Sequence, residues 1–160
     1  MCIRDSSCGA CNSEGLDELI DGLPSYSGVH SLFSLDDSFQ ALQQMRTHQH
    51  GFRQTGGMHA AALWNAATGV HCVSEDIGRH NAVDKVIGHA FLRNIPLNEN
   101  HLLLSGRCGW DLVAKAARSG IGTIVCVGAC SSLAGETARR LGIRVFSFMK
   151  EDGCVAIGPL

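Results

Sequence analysis

The sequence predicts an α/β fold, because its second half alternates between short apolar runs and amphipathic helical segments. From residue 101 onward, the predicted order is strand 101–104, helix 110–118, strand 123–127, helix 131–141 and strand 144–148. This order is typical of parallel strands connected by helices. The chain has 160 residues, 45% hydrophobic and 18% charged, so it is long enough for one sizeable core.

A helix, a hairpin and a second helix are predicted ahead of residue 101. Ser34 precedes apolar residues at helical spacing, and Asp37 three positions later completes an approximate capping box. The runs 58–64 and 70–74 flank a short Ala-Thr-Gly segment, which predicts two strands joined by a tight turn. Apolar residues then recur at helical spacing, so the second helix begins near residue 79 or 80.

The N-terminal thirty residues are rich in glycine and serine and show little periodicity. They are therefore interpreted as a mobile loop, residues 1–30, ahead of one domain, residues 31–160. The chain has eight cysteines and no secretory signal, which predicts a cytoplasmic protein with free thiols. Cys72 and Cys126 lie in apolar runs and are interpreted as small buried hydrophobic residues.

Charge and hydropathy argue against two kinds of partner. A net charge of −2 and a pI near 6.4 provide no electrostatic basis for binding nucleic acid. No apolar run approaches the roughly 20 residues of a membrane helix, so no membrane partner is expected either. The expected partners are small molecules and other proteins.

Three segments directly follow apolar runs of the alternating region: 105–107, 128–130 and 148–153. In open α/β sheets, ligands bind beyond the carboxyl ends of the strands. Each segment contains a glycine, which allows backbone amides to approach a phosphate group. The three segments are therefore candidate binding loops.

Cys8 and Cys11 form a C-x-x-C motif, for which three interpretations stay open. A zinc half-site needs two further ligands, for which His48 and His50 are the candidates. A thioredoxin-like pair normally follows a strand at the start of a helix, and no strand pattern precedes this motif. A sulfur carrier needs one accessible thiolate that holds sulfane sulfur as a persulfide, and a mobile loop suits that task.

The segment 75–85 is the densest polar cluster beside apolar runs. In one interpretation, Asp76 caps the following helix while Arg79 and His80 face a ligand. The alternative is structural: a capped helix start with an internal Asp–Arg pair. His59 is likewise either a ligand-binding residue or a half-buried histidine whose hydrogen bonds are satisfied within the protein.

Together these motifs resemble the FdhD family. The resemblance rests on the C-x-x-C motif, on Gly-Gly-Met-His-Ala-Ala-Ala at 56–62 and above all on Glu-Asp-Ile-Gly-Arg-His-Asn-Ala-Val-Asp-Lys-Val-Ile-Gly at 75–88. It implies a cytidine deaminase-like fold, a three-layer α/β/α arrangement with a mixed sheet. It also implies a sulfurtransferase that accepts persulfide sulfur from a cysteine desulfurase. The sulfur acceptor would be the molybdenum bis(guanine dinucleotide) cofactor (Mo-bis-MGD) destined for formate dehydrogenase, with no permanent metal in the protein.

The resemblance also assigns roles to individual residues. Cys8 carries the persulfide, Cys11 is its motif partner, and segment 148–153 corresponds to the family's cofactor-binding stretch. The complete set of predicted binding residues is Phe148, Met149, Lys150, Glu151, Asp152, Gly153, His59, Arg79, His80 and Arg107. Two carboxylates in this set would repel a polyphosphate unless they point away from it.

Family members carry a further region ahead of the cysteine loop, so the resemblance implies an N-terminally truncated chain. Residues 1–6 resemble translated sequencing adapter and are expected to be non-native. A homodimer is compatible with the sequence. Two alternative functions are a zinc-dependent deaminase, whose H-x-E and P-C-x-x-C motifs the sequence lacks, and a non-catalytic chaperone that holds the cofactor.

Overall fold

The computed structural model describes residues 15–159, so Cys8 and Cys11 lie outside the described residues. The helices are Leu16–Ile20 (α1), Leu35–Thr47 (α2), His50–Thr55 (α3), Arg79–Arg93 (α4), Trp110–Ser119 (α5) and Ser132–Leu141 (α6). The strands are His59–Asn65 (β1), Gly69–Asp76 (β2), His101–Leu104 (β3), Thr123–Cys126 (β4), Arg144–Lys150 (β5) and Gly153–Ile157 (β6). A 3-10 turn, Leu97–Glu99, precedes β3.

A mixed six-stranded sheet with the order β2-β1-β3-β4-β5-β6 forms the centre of the fold. The three inner strands β3, β4 and β5 are parallel. Strand β1 is antiparallel to both β2 and β3, and β6 is antiparallel to β5. This arrangement confirms the predicted α/β fold and its mixed sheet.

Helices cover both faces of the sheet, because alternate residues of each strand point to opposite sides. On one face, α4, α5 and α6 pack over strand residues such as Leu63, Leu102 and Ile124. On the other face, α2 packs over residues such as Leu103 and Val125. The predicted three-layer arrangement is therefore present, with a core on each side of the sheet.

Local sequence signals position the helix ends largely as predicted. The Ser34 hydroxyl accepts a hydrogen bond from the Asp37 amide at 3.2 Å, which caps α2. Gly120 and Gly142 end α5 and α6 in the left-handed conformation, with φ of 77° and 70°, which glycine adopts without strain. Helix α4 begins at Arg79, within the predicted start.

Two predictions require correction. The loop assigned to residues 1–30 contains a short helix, α1, and Leu23 is buried against the main core. The segment 148–153 does not follow the last strand, because β5 extends to Lys150 and pairs with a further strand, β6. The run 154–157 of β6 is apolar like those of the other strands, but it follows β5 directly in a hairpin and was not predicted as a separate strand.

The amino ends of the parallel strands carry buried polar residues that bond to one another. Arg144 Nη2 donates to Thr123 Oγ1 at 3.0 Å and to the Ser31 carbonyl at 2.8 Å. The Ser31 hydroxyl lies 2.7 Å from Nε2 of His101. Burial, reinforced by the Arg144 charge and by His30, lowers the pKa of His101 to about 4. This imidazole is therefore neutral at physiological pH.

Candidate functional site

A cavity of about 690 Å³ opens beyond the carboxyl ends of the parallel strands. Ser105 and Gly106 follow β3, Val127 follows β4, and the end of β5 completes this side of the cavity. The opposite wall is formed by α2, α3 and the segment that leads into β1. Ligand-binding cavities commonly measure about 300–1,000 Å³, so this cavity is large enough for a substantial part of a nucleotide-sized ligand.

The cavity combines an apolar wall with polar groups that have no internal partner. Phe39, Leu42 and Phe52 contribute apolar surface. Within residues 15–159, the side chains of His59 and Lys150 make no hydrogen bond or ion pair. An apolar wall beside a free cation and a free imidazole suits a ligand with a planar ring system and an anionic group.

The loops beneath the cavity approach each other closely through glycine. A Cβ atom on Gly128 would lie 2.9 Å from the carbonyl carbon of Gly106 and 3.0 Å from the amide nitrogen of Arg107. The Gly128 amide donates to the Gly106 carbonyl at 3.1 Å, and the Phe148 amide donates to the Gly128 carbonyl at 3.1 Å. The three candidate binding loops are thus joined through their backbones, and only glycine at position 128 permits this contact.

A bulge in β5 shapes one side of the cavity. The register between β5 and β6 shifts between Ser147 and Lys150, and Phe148 has a positive φ of 52°, which is unusual for a large side chain. Bulges redirect side chains and are common beside functional sites. Here Phe148 is half-exposed, while Met149 and Lys150 both line the cavity.

Glu75 holds the wall of the cavity in place. Its two carboxylate oxygens accept hydrogen bonds from the backbone amides of Gly51 and Phe52, each at 2.8 Å. These amides belong to the first turn of α3, where unpaired N–H groups and the helix dipole favour a carboxylate. Glu75 therefore fixes the short helix α3 and, with it, the position of Phe52 in the cavity wall.

Asp76 is anchored differently from both interpretations offered by the sequence. Its carboxylate pairs with Lys85 at 2.6 Å and accepts from the Gly78 amide and from the Asn81 side chain. These contacts, the Lys85 hydrogen bond first, lower the pKa of Asp76 to about 2. Gly78 is the N-cap of α4 and no side chain caps this helix, so Asp76 neither caps α4 directly nor pairs with Arg79.

Arg79 and His80 instead converge on Asp111, at the start of α5. Nδ1 of His80 lies 2.9 Å from Oδ2 of Asp111, and Nη2 of Arg79 lies 3.8 Å from Oδ1. Neither contact is aligned well enough to be a hydrogen bond. Within residues 15–159, three atoms near these contacts are buried without a hydrogen-bond partner: Asp111 Oδ2, Arg79 Nε and Trp110 Nε1. Unpaired buried polar atoms in one place indicate capacity for a further polar ligand or water.

The loop between β3 and α5 connects this Asp111 cluster to the cavity. A Cβ atom on Gly106 would lie 3.1 Å from Nδ1 of His59, which lines the cavity. A Cβ atom on Gly109 would lie 2.5 Å from Asp111 Oδ1 and 3.7 Å from Arg79. The cavity and the Asp111 cluster therefore flank the two ends of one short loop.

The ten predicted binding residues lie in three different parts of the structure. His59, Met149, Lys150 and Glu151 line the cavity, and Arg79 and His80 face Asp111. The remaining four do not line the cavity: Arg107, Phe148, Asp152 and Gly153. Asp152 is exposed at the tip of the β5–β6 hairpin, whereas Glu151 lies at the cavity rim. Their roles as ligand contacts stay predictions.

Sequence reasoning missed Asp111 and most of the wall formed by α2 and α3. Asp111 lies on a helix whose other residues indicated only packing, and its partners are about thirty positions away. Helix α3 is six residues long and has no apolar periodicity, so nothing marked it as an element. Because Phe39 and Leu42 satisfy an ordinary amphipathic pattern, the sequence did not distinguish cavity wall from core.

Within residues 15–159, no group of three or more histidine, cysteine or acidic side chains is arranged to hold a metal ion. None of the helices in this part of the chain is long and apolar enough to cross a membrane. The fold and the cavity define an α/β protein with a candidate ligand-binding cavity beyond the carboxyl ends of its parallel strands.

The chain belongs to the FdhD/NarQ family, because the model of that family matches residues 2–156. The "Sulfur carrier protein FdhD" of Burkholderia mallei is 39% identical over 155 residues, which cover 96% of this chain and 57% of that protein. The "Sulfur carrier protein FdhD" of Mycobacterium tuberculosis is 42% identical over 149 residues, covering 92% and 54%. The chain thus spans little more than half the length of these curated relatives.

Two solved structures resemble the fold. One is described as a formate dehydrogenase accessory protein from Desulfotalea psychrophila, with a TM-score of 0.78, 26% identity and coverage of 89% of this chain and 60% of that chain. The other is a guanine deaminase from Nitrosomonas europaea, with a TM-score of 0.55, 13% identity and coverage of 79% and 84%. The second similarity concerns the fold alone, and it agrees with the predicted deaminase-like architecture.

Proposed function

We propose that this protein is a sulfur carrier, which accepts sulfur on Cys8 and delivers it to the molybdenum cofactor of formate dehydrogenase. Membership of the FdhD/NarQ family supports the carrier role. The observation that carries the proposal is the cavity beyond β3, β4 and β5, where Lys150 and His59 are left without partners among residues 15–159. A sulfur carrier needs such a place to hold the acceptor of the sulfur.

The loading step is an exchange between a persulfide and a thiolate. The Cys8 thiolate attacks the terminal sulfur of a persulfide on a cysteine desulfurase. The sulfur–sulfur bond of the donor breaks, the desulfurase cysteine leaves as a thiolate, and Cys8 becomes a persulfide. This exchange needs no external oxidant or reductant, and it proceeds in the cytoplasm, where thiols remain reduced.

The delivery step requires two electrons, which Cys11 supplies. The Cys11 thiolate attacks the inner sulfur of the Cys8 persulfide, so a Cys8–Cys11 disulfide forms and the terminal sulfur leaves as sulfide. The sulfide binds the molybdenum of the acceptor, whose oxygen ligand leaves as water after taking up two protons. Molybdenum favours soft sulfur ligands, and a dithiol reductant then restores the two cysteines.

The acceptor, Mo-bis-MGD, is a substrate of this protein and not its resident cofactor. In this proposal a guanine or pterin ring packs against Phe39 and Phe52, while Lys150 pairs with a phosphate. The cavity accommodates one end of the cofactor. Arg79 and His80, paired with Asp111 at the other end of the β3–α5 loop, are positioned to contact another part of it. The finished cofactor is then passed to formate dehydrogenase.

The test is mass spectrometry after incubation with a cysteine desulfurase and cysteine. Cleavage after Arg4 and Arg46 yields one peptide, residues 5–46, that carries both Cys8 and Cys11. We expect the mass of one added sulfur on Cys8, removable by a reductant. Cys8→Ala should lose the adduct and formate dehydrogenase maturation, whereas the matched control Cys72→Ala should keep both.

Two results would count against the proposal. A Cys8→Ala protein that still matures formate dehydrogenase would leave a chaperone that only holds the cofactor as the better function. An adduct found on another cysteine would move the carrier role to that residue. Circular dichroism of every variant establishes that the chain is folded before either result is interpreted.

A further inference from the structure

Two cysteines that the proposed mechanism does not use lie side by side beneath the cavity. Cys108 follows β3 and Cys130 follows β4, and the two residues form an isolated parallel bridge. The Cys108 amide donates to the Ala129 carbonyl at 2.9 Å, and the Ser131 amide donates to the Cys108 carbonyl at 3.1 Å. These two hydrogen bonds fix the backbones on both sides of Cys130.

The bridge brings the two thiols together. Residues paired in this way on parallel strands project to the same face, and adjacent strands lie about 4.8 Å apart. A disulfide joins Cα atoms separated by about 4.4–6.8 Å, so this spacing is suitable for a bond. The thiols donate to the neighbouring backbone: Cys108 Sγ to the Gly109 carbonyl at 3.9 Å and Cys130 Sγ to the Ser131 carbonyl at 3.5 Å.

The environments of the two thiols differ in the way that thiol exchange requires. Cys130 is partly exposed, whereas Cys108 is 1% exposed. The neighbouring Cys108 thiol and the nearby charge of Arg139 lower the pKa of Cys130. The neighbouring Cys130 thiol and burial raise the pKa of Cys108. Cys130 is thus the accessible nucleophile, and Cys108 is the protected thiol beside it.

We propose that Cys108 and Cys130 are a redox-sensitive dithiol, which low-molecular-weight disulfides oxidise to a reversible intramolecular disulfide. The Cys130 thiolate attacks one sulfur of the small disulfide, whose sulfur–sulfur bond breaks and releases one thiolate. Cys108 then attacks the Cys130 sulfur and expels the second thiolate, which takes the proton from Cys108. The protein loses two electrons, and the small disulfide gains them.

The location makes this dithiol a switch on the cavity. The segment ahead of Cys108 contains Gly106, and the segment ahead of Cys130 contains Val127, both of which line the cavity. A covalent bond between Cys108 and Cys130 fastens these two loops to each other. Oxidation therefore restricts the cavity wall, and reduction releases it.

The experiment maps disulfides after oxidation of the full-length chain with oxidised glutathione. Cys2, Cys8 and Cys11 are first replaced by alanine so that they cannot compete. Tryptic cleavage yields peptide 108–115, which contains Cys108, and peptide 119–139, which contains Cys126 and Cys130. We expect these peptides to be joined, with fragments between Val127 and Ala129 assigning the bond to Cys130, and dithiothreitol to separate them.

Matched variants decide between specific pairing and general thiol oxidation. Cys126 is buried next to the pair, its thiol donates to the Gly128 carbonyl, and burial raises its pKa to about 12. Cys126→Ala should therefore retain the cross-link, whereas Cys130→Ser should lose it completely. A bond to Cys126, or oxidation that stops at glutathione on Cys130 in a folded protein, would overturn the proposal.

Discussion

The two edges of the parallel sheet carry polar residues for different purposes. At the amino ends of β3, β4 and β5, His101, Thr123 and Arg144 are all at most 6% exposed and belong to one hydrogen-bonded cluster. At the carboxyl ends, the side chain of Lys150 faces a cavity and has no partner within residues 15–159. At the amino edge most buried polar atoms are paired, with Nδ1 of His101 and of His30 among the exceptions within residues 15–159, as packing in an apolar interior requires. At the carboxyl edge a polar side chain faces open space, as in many ligand-binding cavities.

Polarity alone does not mark a site. Arg144 is a cation that is only 6% exposed, and burying a charge is costly unless it is paired. Its partners are the Ser31 carbonyl and the Thr123 hydroxyl, so it stabilises the fold. A cavity of about 450 Å³ also lies at the amino edge, but the His101 and Thr123 side chains that line it are bonded within the protein. The carboxyl edge differs in having a larger cavity whose His59 and Lys150 side chains have no partner within residues 15–159.

The largest effect on stability is expected at the amino edge. Arg144→Met removes the donor for Thr123 and for the Ser31 carbonyl and leaves both without this partner. We expect the free energy of unfolding to fall by roughly 3 kcal/mol, since each unsatisfied buried group costs about 1–3 kcal/mol. Urea unfolding followed by circular dichroism measures the change. A loss below about 1 kcal/mol would show that the cluster does not stabilise the fold.

The same edge should make stability depend on pH. The pKa of His101 is about 4 in the folded chain, against an ordinary value of 6.5. As the pH falls below 6.5, the unfolded chain binds a proton that the folded chain does not bind until about pH 4. The contribution of His101 to the free energy of unfolding is therefore fully present above pH 6.5. It decreases by roughly 2–3 kcal/mol as the pH falls toward 4.

Replacing His101 identifies the source of this pH dependence. His101→Gln should flatten the decrease in unfolding free energy between pH 6.5 and 4.5. His30 still contributes in the same direction, because burial lowers its pKa as well. Asp76, with a pKa of about 2, affects stability only at lower pH, as the pH falls through its ordinary value of 3.8. An unchanged slope in His101→Gln would assign the dependence to other groups.

At the carboxyl edge, the close backbone contact should be sensitive to a single methyl group. Gly128→Ala places a Cβ atom against the Gly106 backbone, which cannot yield as a flexible side chain would. We expect a loss of about 1–2 kcal/mol in unfolding free energy, as is typical of overpacking. Gly57→Ala is the matched control, because no atom lies within 4 Å of its added Cβ, and its stability should stay within about 0.5 kcal/mol.

The smallest effect on stability, with a clear effect on binding, is expected at Lys150. Lys150→Met removes a cation that has no partner within residues 15–159, so stability should change by less than about 0.5 kcal/mol. The affinity for guanosine diphosphate, a fragment of the proposed substrate, should fall about tenfold because a charged contact to phosphate is lost. Calorimetry with Lys115→Met as the control measures this change, since Lys115 instead pairs with Asp84 at 2.6 Å.

Most of the fold could be predicted from the sequence because its signals are local. Apolar alternation located the inner strands, Ser34 and the glycines marked helix ends, and the 75–85 segment marked the start of α4. Besides the short helix α1, two elements escaped: α3, which depends on the Glu75 carboxylate for its first turn, and β6, which depends on pairing with β5. Helix α3 has no apolar pattern of its own, and the apolar run of β6 is separated from β5 only by a tight turn. Both elements depend on a partner that is distant in sequence or across a turn.

The sequence by itself determined the α/β class, the family resemblance and the set of chemically capable residues. Only the tertiary structure decided which of them share a site: His59 and Lys150 lie in one cavity, while Asp111 gathers Arg79 and His80. It also decided that Cys108 and Cys130 are neighbours, although twenty-two positions separate them in the sequence. The physical reason is that periodicity reports which face of an element is buried, whereas contacts between elements depend on sheet order, register and loop closure.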